Sequence, residues 1–261
     1  VKEADVDGFR CDVAGFVPTN FWIHVRKKLD AIKPVFMLAE WESRDMHQAF
    51  DMTYAWRLWD IMHQIAKGYK NAGSLSYYFT EEFNAMPLHN IRMNFIENHD
   101  KNSWEGTVGA NFGKAEQTFI VLTCLAQGMP LIYSGQEAGL NKPLAFFEKD
   151  LIPWQEHPNR QLFQELLSLK KSQKALWNGE WGGAMLPVNN SHPEKIAVFV
   201  REKENNRVVI ILNCSNEKVS FTIQDKSIEG SYTDAFAKTE VTVYKDVPLT
   251  LEAWKYLVLI Q

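Results

Sequence analysis

Three short apolar runs that each stop at a carboxylate constrain the fold of this chain more than any other feature. They occupy residues 8–12 (GFRCD), 38–41 (LAEW) and 95–100 (FIENHD). A strand buried in a parallel sheet is a nearly continuous apolar run, and the carboxyl ends of parallel strands meet at one edge of the sheet. The runs therefore predict three parallel strands that bring Asp12, Glu40 and Asp100 to a common edge.

The segment from residue 1 to residue 176 alternates between strand-like and helix-like patterns. The predicted strands are residues 6–12, 35–40, 50–54 (the weakest), 91–96 and 131–133. The predicted helices are residues 20–32, 58–66, 115–126 and 160–176. Strands that alternate with helices across short connections are typical of parallel βαβ units. This segment is therefore predicted to be an α/β unit with five strands.

The pattern changes after Leu176, where short apolar runs alternate with polar turns and no helical period is present. The predicted strands here include residues 196–200, 208–212, 241–244 and 256–260, with turns near 204–206 and 229–231. Such spacing is typical of an antiparallel sandwich. We therefore predict a boundary between an α/β domain at residues 1–176 and an all-β domain at residues 177–261.

Composition argues against two classes of partner. The net charge of −4 does not favour a nucleic-acid surface, because phosphate binding requires clustered Lys and Arg. The sequence contains no apolar run near the roughly 20 residues that a membrane-spanning helix needs. Three cysteines lie far apart, without the spacing of a zinc site or a disulfide framework. Nothing in the sequence indicates a cellular compartment.

In this order, the three motifs resemble three conserved regions of the α-amylase family, glycoside hydrolase family 13. Residues 127–137 resemble the eighth strand and the following turn of the same family. The resemblance implies a (β/α)8 TIM-barrel type of fold, represented here by about its last five β/α units. It also implies an all-β antiparallel domain directly after the last barrel helix. Residues 1–176 would then be the C-terminal portion of the catalytic barrel.

The resemblance implies catalytic roles for the three acidic side chains. Retaining hydrolysis of a glycosidic bond needs two carboxyl groups about 5–5.5 Å apart. By resemblance, Asp12 is the nucleophile, Glu40 the general acid/base, and Asp100 the residue that stabilises the oxocarbenium-like transition state. Apolar neighbours of Glu40 predict surroundings that favour its protonated form. Glu42 is a nearby competitor, and its parity along the strand matches Glu40 only if the strand continues past Trp41.

Three further residues are predicted to bind substrate or to orient the nucleophile. Arg10 would hold Asp12 ionised and aimed, His99 would bind hydroxyls of the same sugar ring as Asp100, and Trp41 would stack on glucose. Each has a structural alternative. Arg10 and Asp12 could form a simple ion pair at a strand end, and His99 with Asp100 could be a hydrogen-bonded pair or part of a metal site. Trp41 could be packing.

No metal or cofactor is predicted for this segment. Additional His or Cys residues at ligand spacing are not found beside His99 and Asp100. Many α-amylases carry a Lys-His pair shortly after the nucleophile, and Gly15-Phe16 stands there in this chain. Calcium could therefore belong to a full-length enzyme, but these residues do not support it.

Several parts of a complete family member have no counterpart in the sequence, including the first three strands and the earliest conserved region. We therefore expect this chain to be the carboxyl-terminal part of a longer enzyme. Five parallel strands of an open barrel would expose backbone and apolar side chains at their edges. Self-association, or pairing with the missing N-terminal half, is the expected consequence.

The predicted activity is that of a retaining glycoside hydrolase acting on α-1,4-glucans, such as starch and maltooligosaccharides, by double displacement. An α-glucan transglycosylase would use the same residues while excluding water. A catalytically silent fragment that binds glucan or a partner chain is the alternative from another class. The ordered motifs could also be coincidental in an unrelated α/β protein.

Overall fold

The computed structural model describes residues 1–261. The first part contains, in chain order, β1 (Gly8–Cys11), α1 (Thr19–Asp30), β2 (Phe36–Ala39), β3 (Met52–Tyr54), α2 (Trp56–Ala66), α3 (Gly73–Ala85), β4 (Ile91–Asn94), α4 (Val108–Phe112), α5 (Glu116–Leu125), β5 (Met129–Pro130) and α6 (Pro158–Ser172). The second part contains β6 (Leu186–Pro187), β7 (Ile196–Lys203), β8 (Asn206–Asn213), β9 (Val219–Thr222), β10 (Gly230–Asp234), β11 (Glu240–Val243), β12 (Pro248–Leu251) and β13 (Tyr256–Ile260).

Five strands form one parallel sheet in the order β1-β2-β3-β4-β5. The five-stranded parallel unit predicted from the sequence is therefore confirmed. The position of the last strand was wrong, because β5 covers Met129–Pro130 rather than residues 131–133. The chain leaves the sheet after Leu131, whose N–H still bonds to the carbonyl of Asn94, and turns so that the Tyr133 N–H meets the Gln136 side chain.

Two helices, α3 and α4, were not predicted. The buried face of α3 does have helical spacing, but it includes the charged Glu82 beside Leu75, Tyr78 and Phe79. Glu82 is buried because it pairs with Arg92 on β4, at 2.9 Å between Nε and Oε2. An apolar pattern interrupted by a charge does not indicate a core-facing helix, and only the partner across the interface explains it.

The second part is antiparallel, as predicted. A six-stranded sheet in the order β11-β10-β13-β8-β7-β6 packs against the two-stranded sheet of β12 and β9. Strands β7 and β8 are buried on both faces: alternate residues such as Val198 and Ile211 face the small sheet, whereas Phe199 and Ile210 join the core of the first part. The two predicted domains thus share a core, and their division at residue 176 stays a prediction.

The edge formed by β1 and α1 is poorly buried. No residue of β1 or α1 is buried, and Phe9, Phe21 and Ile32 are exposed apolar side chains on this edge. Strand β1 pairs only with β2, so its other side presents free backbone groups.

None of the helices has the length and apolar character needed to cross a bilayer.

Candidate active site

Arg10 lies at the centre of the site, on the edge strand β1. Its Nη2 is 2.7 Å from Oε1 of Glu40, which follows β2, and its Nη1 forms an ion pair with Asp12. Nε and Nη2 both lie 3.3 Å from the hydroxyl of Tyr54, at the end of β3. Burial lowers the pKa of Arg10, but the hydrogen bonds to Tyr54 and Asp12 outweigh it and raise the pKa overall. One guanidinium therefore holds both predicted catalytic carboxylates.

Glu40 is buried and has a second donor. Its Oε2 accepts a 2.6 Å hydrogen bond from the backbone N–H of Val13. Val13 has φ of +43°, which is an uncommon conformation for a β-branched residue and a recurrent feature of functional sites. Two donors therefore contact a carboxylate whose surroundings looked apolar in the sequence. The turn after Asp12 thereby links the ends of β1 and β2 directly.

Asp12 is the most accessible of the three predicted catalytic carboxylates, with 76% of its side chain exposed. This exposure follows from its place just after β1, the edge strand of the sheet. A nucleophile must be reachable by substrate, whereas an acid/base benefits from burial. The side chain of Asp12 is thus far more open to solvent than that of the buried Glu40.

His99 and Asp100 reach the same place from the end of β4. The His99 Nε2 lies 3.4 Å from Asp100 Oδ2, and ligand atoms of Glu40, His99 and Asp100 all lie within 4.8 Å of one another. The same three side chains are also the only close group of His, Cys, Asp or Glu that could share a cation. The guanidinium of Arg10, 2.7 Å from Glu40, already supplies positive charge there.

The comparison with known families decides the ancestry. The family described as "Alpha amylase, catalytic domain" matches residues 1–212, which is most of the chain. This chain belongs to the α-amylase family. The predicted resemblance and the predicted fold class are therefore confirmed, and the match extends past residue 176 into β8.

Curated members of the α-amylase family match nearly the whole chain at modest identity. The maltogenic alpha-amylase of Bacillus acidopullulyticus is 24% identical over 270 residues, covering 99% of this chain and 46% of that protein. A cyclomaltodextrinase of Geobacillus thermopakistaniensis is 26% identical over 234 residues, covering 83% of this chain and 38% of that protein. This chain therefore spans less than half the length of these relatives.

Solved structures of α-amylases share the fold. A noncanonic maltogenic alpha-amylase from Thermotoga neapolitana superposes with a TM-score of 0.85 at 27% identity, over 99% of this chain and 62% of that one. The alpha-amylase from Geobacillus thermoleovorans, in a complex with acarbose, gives a TM-score of 0.81 at 18% identity, over 99% and 60% of the two chains. The second likeness concerns the fold alone.

Trp41 is held by packing in this α-amylase family member. Gly15 lies directly against its indole, where any Cβ would clash with the ring. Phe16 packs on it at 5.4 Å between ring centroids, and Trp56 meets it edge-on at 6.1 Å. Part of the indole is thus covered by the chain itself, and stacking of Trp41 on glucose stays a prediction.

Glu42, the competitor of Glu40 in the sequence, contacts the start of a helix. Its Oε2 accepts a 2.8 Å hydrogen bond from the backbone N–H of Arg57, in the first turn of α2. Helix N-termini carry free N–H groups, and a carboxylate that accepts from one stabilises the helix. Burial raises the pKa of Glu42. The chain therefore turns after Glu40, and Glu42 serves as a helix cap.

Two residues beside the site were not singled out as site residues from the sequence. Tyr54 ends the weakest predicted strand, and its place at a strand end was the available signal; burial raises its pKa. Glu97 belongs to the third motif and is almost wholly buried. Its Oε1 accepts a 2.9 Å hydrogen bond from Asn102, whereas Oε2 has no hydrogen-bond partner. Burial raises the pKa of Glu97 to about 7.

Glu97→Gln is expected to remove a pH-dependent loss of stability. Because the folded-state pKa lies above the usual 4.5, the folded protein keeps a proton that the unfolded chain releases between pH 4.5 and about 7. The free energy of unfolding should therefore fall across this window, by up to about 3 kcal/mol, and the Gln variant should not show this fall. Urea unfolding at pH 5 and pH 8 measures it.

The control is Glu105→Gln, because Glu105 is a half-exposed carboxylate on the segment after the same motif. Its pH profile of stability should match that of the unmodified chain. If the Glu97→Gln profile also matches, Glu97 does not hold a proton in the folded state.

Proposed function

We propose that this chain carries the catalytic carboxylates of a retaining glycoside hydrolase that acts on α-1,4-glucans, such as starch and maltooligosaccharides, by double displacement. The observation that carries the proposal is the meeting of three distant motifs: Glu40, His99 and Asp100 within 4.8 Å, with Arg10 joining Glu40 to Asp12. Relatives named as maltogenic amylases and cyclomaltodextrinases support the substrate class.

Asp12 is proposed as the nucleophile. Its carboxylate attacks the anomeric carbon and forms a covalent glycosyl ester as the glycosidic C–O bond breaks. Arg10 fixes the direction of the carboxylate through their ion pair. The exposure of Asp12 leaves it open to a sugar ring.

Glu40 is proposed as the acid/base. It donates a proton to the leaving oxygen in the first step and takes one from water in the second. Its two oxygens are held by different donors, Arg10 on Oε1 and the Val13 N–H on Oε2. This fixes the carboxyl plane, which proton transfer over a short distance requires.

Asp100, His99 and Trp41 are proposed to bind the ring that reacts. Asp100 would accept hydrogen bonds from ring hydroxyls and stabilise the positive charge of the oxocarbenium-like transition state. His99, 3.4 Å from Asp100, would bind hydroxyls of the same ring. Trp41 would contribute the uncovered part of its indole.

The open edge supports a second candidate function, that of a silent fragment which binds a partner chain. Phe9, Phe21 and Ile32 expose apolar surface along β1 and α1, and the free backbone of β1 could pair with another strand. The partner would be a chain that supplies further barrel strands or a second copy of this chain.

The test is reducing-sugar release from soluble starch and maltoheptaose by this chain, with Asp12→Asn beside it. We expect turnover that Asp12→Asn abolishes, and NMR of the first product should show the α-anomer, because two displacements retain configuration. A β-anomer would rule out double displacement. Longer products at the expense of glucose release would indicate transglycosylation. No turnover in the unmodified chain would favour the silent fragment.

A further inference from the structure

A group of exposed aromatic rings stands beside His99, outside the residues assigned so far. We call Trp104, Phe146 and Phe147 the aromatic wall. The ring of Phe146 lies 5.9 Å from that of His99 and 5.2 Å from that of Trp104, and Phe147 packs against Phe146 at 4.8 Å. Trp104 is 63% exposed and Phe147 82% exposed. Large rings this accessible and this close together form an apolar patch at the edge of the site.

The wall is built from two distant segments that a buried amide joins. Asn102 is fully buried, and its Nδ2 donates to Glu97 at 2.9 Å and to the carbonyl of Lys142 at 3.1 Å. Its Oδ1 accepts from the N–H of Leu144 at 2.7 Å. Ser103 adds a 2.8 Å hydrogen bond to the carbonyl of Leu144. The segment that carries Trp104 is therefore fastened to the loop that carries Phe146 and Phe147.

That loop is also closed on itself. The side chain of Asp150 accepts a 3.0 Å hydrogen bond from the N–H of Ala145 and forms an ion pair with Lys142. Phe146 and Phe147 therefore sit at the tip of a pinned loop. The side chains of Phe146 and Phe147 are therefore exposed on a loop whose shape these contacts fix.

Trp104 is coupled to the reacting centre by secondary structure. It lies on a single turn of π-helix, Lys101–Glu105, which begins immediately after Asp100. Single π-helical turns are rare and occur frequently at functional sites. The position of Trp104 relative to Asp100 is therefore set by a short, hydrogen-bonded unit.

We propose that the aromatic wall binds the glucose rings of an α-glucan adjacent to the ring held by His99 and Asp100. Pyranose rings present an apolar C–H face that packs on aromatic rings, while their hydroxyls remain in water. The wall continues directly from His99, whose ring lies 5.9 Å from that of Phe146, so the rings adjacent to one held by His99 lie within reach of it. This inference rests on the proposed function for the identity of the ligand, but it concerns binding and not turnover.

The test is calorimetric titration of maltoheptaose and maltose into the Glu40→Gln chain, in which turnover is expected to be about a thousandfold slower. Adding Trp104→Ala should weaken maltoheptaose binding about tenfold and change maltose binding much less, because only the longer chain reaches both His99 and the wall. Trp104→Phe, which keeps a ring, should restore most of the affinity. Phe147→Ala serves as a second variant that removes a highly exposed side chain without disturbing the Asn102 contacts.

The matched control is Trp181→Ala. Trp181 is also 63% exposed, but it lies with Phe36 and Ile91 at the opposite, amino-terminal ends of the strands. Unchanged maltoheptaose binding in Trp104→Ala and Phe147→Ala, or an equal loss in Trp181→Ala, overturns the proposal. A lower apparent mass in light scattering for Trp104→Ala and Phe147→Ala, but not for Trp181→Ala, also overturns the proposal. It would mean that a second copy of the chain covers the aromatic wall. Maltoheptaose binding that depends on Trp104, together with no turnover in the parent chain, would support glucan binding by the aromatic wall. The same result would contradict the proposed hydrolase activity.

Discussion

Glu40→Gln is expected to lower kcat on maltoheptaose about a thousandfold while leaving KM within a few-fold of the parent value. Loss of a positioned general acid typically costs 10²–10⁴ in rate. The amide keeps the shape of the side chain, and its one oxygen can still accept the hydrogen bond from the Val13 N–H. The contact with Arg10 is lost, and we expect this to change KM only a few-fold. Initial rates of reducing-sugar release over a range of maltoheptaose concentrations separate the two parameters.

Glu42→Gln is the matched control for this experiment. Glu42 lies two residues further along the chain, and its side chain accepts from the Arg57 N–H at the start of α2. A Gln carbonyl can accept the same bond, so activity should stay close to that of the parent. Equal losses in both variants, or substantial turnover by Glu40→Gln, would show that Glu40 is not the acid/base.

Arg201→Met is expected to destabilise the chain by about 3–5 kcal/mol, a large part of the 5–15 kcal/mol typical of a folded domain. Arg201 is almost wholly buried and has no carboxylate partner. Its guanidinium donates to five backbone carbonyls, those of Leu125, Ala126, Leu176, Trp177 and Gly183. Met fills much of the same volume but removes the donor from the carbonyls of Leu125, Ala126, Trp177 and Gly183, whereas the carbonyl of Leu176 keeps Lys170 as a donor. The cost of these buried carbonyls without a donor sets the size of the effect.

The location of Arg201 explains why a buried cation is tolerated. Leu125 and Ala126 end α5, where the helix dipole places partial negative charge. Lys170, in the last turn of α6, shares the carbonyl of Leu176 with Arg201, at 2.9 Å from its Nζ. Burial lowers the pKa of Arg201 and lowers that of Lys170 to about 7. Arg201 on β7 thus joins the ends of barrel helices to the β domain.

Arg207→Met is the control for this prediction. Arg207 lies on the adjacent strand β8 and forms a partly exposed ion pair with Glu202 at 2.9 Å. Exposed pairs contribute about 0–1 kcal/mol, so this variant should unfold at nearly the parent urea concentration. Urea denaturation followed by tryptophan fluorescence compares the two variants. A similar midpoint shift for both would show that Arg201 contributes no more than a surface pair.

Most strands of the α/β unit could be predicted from the local sequence, because strands buried in a parallel sheet are continuous apolar runs. The strands that end before Asp12 and Glu40 were placed correctly, and so was the strand before Glu97. The antiparallel part was readable from its turn spacing. Helix α3 was missed because its buried Glu82 depends on Arg92, a partner ten residues away in sequence but across an interface in space.

The motifs also indicated the candidate site residues, but they did not indicate which of these residues contact one another. Periodicity did not indicate that one guanidinium would join Asp12 to Glu40, or that the N–H of Val13 would point at Glu40. Nor did it indicate that Glu42 would accept a hydrogen bond from the Arg57 N–H at the start of α2.

The sequence by itself determined which segments form strands, which acidic residues stand at their ends and which family the chain resembles. These are properties of short stretches, where side-chain polarity and backbone preference act locally. Only the tertiary structure decided which side chains meet. The joining of Trp104 to Phe146 through Asn102 links residues some forty positions apart. Such contacts depend on strand order and loop closure, because packing selects neighbours in space and not along the chain.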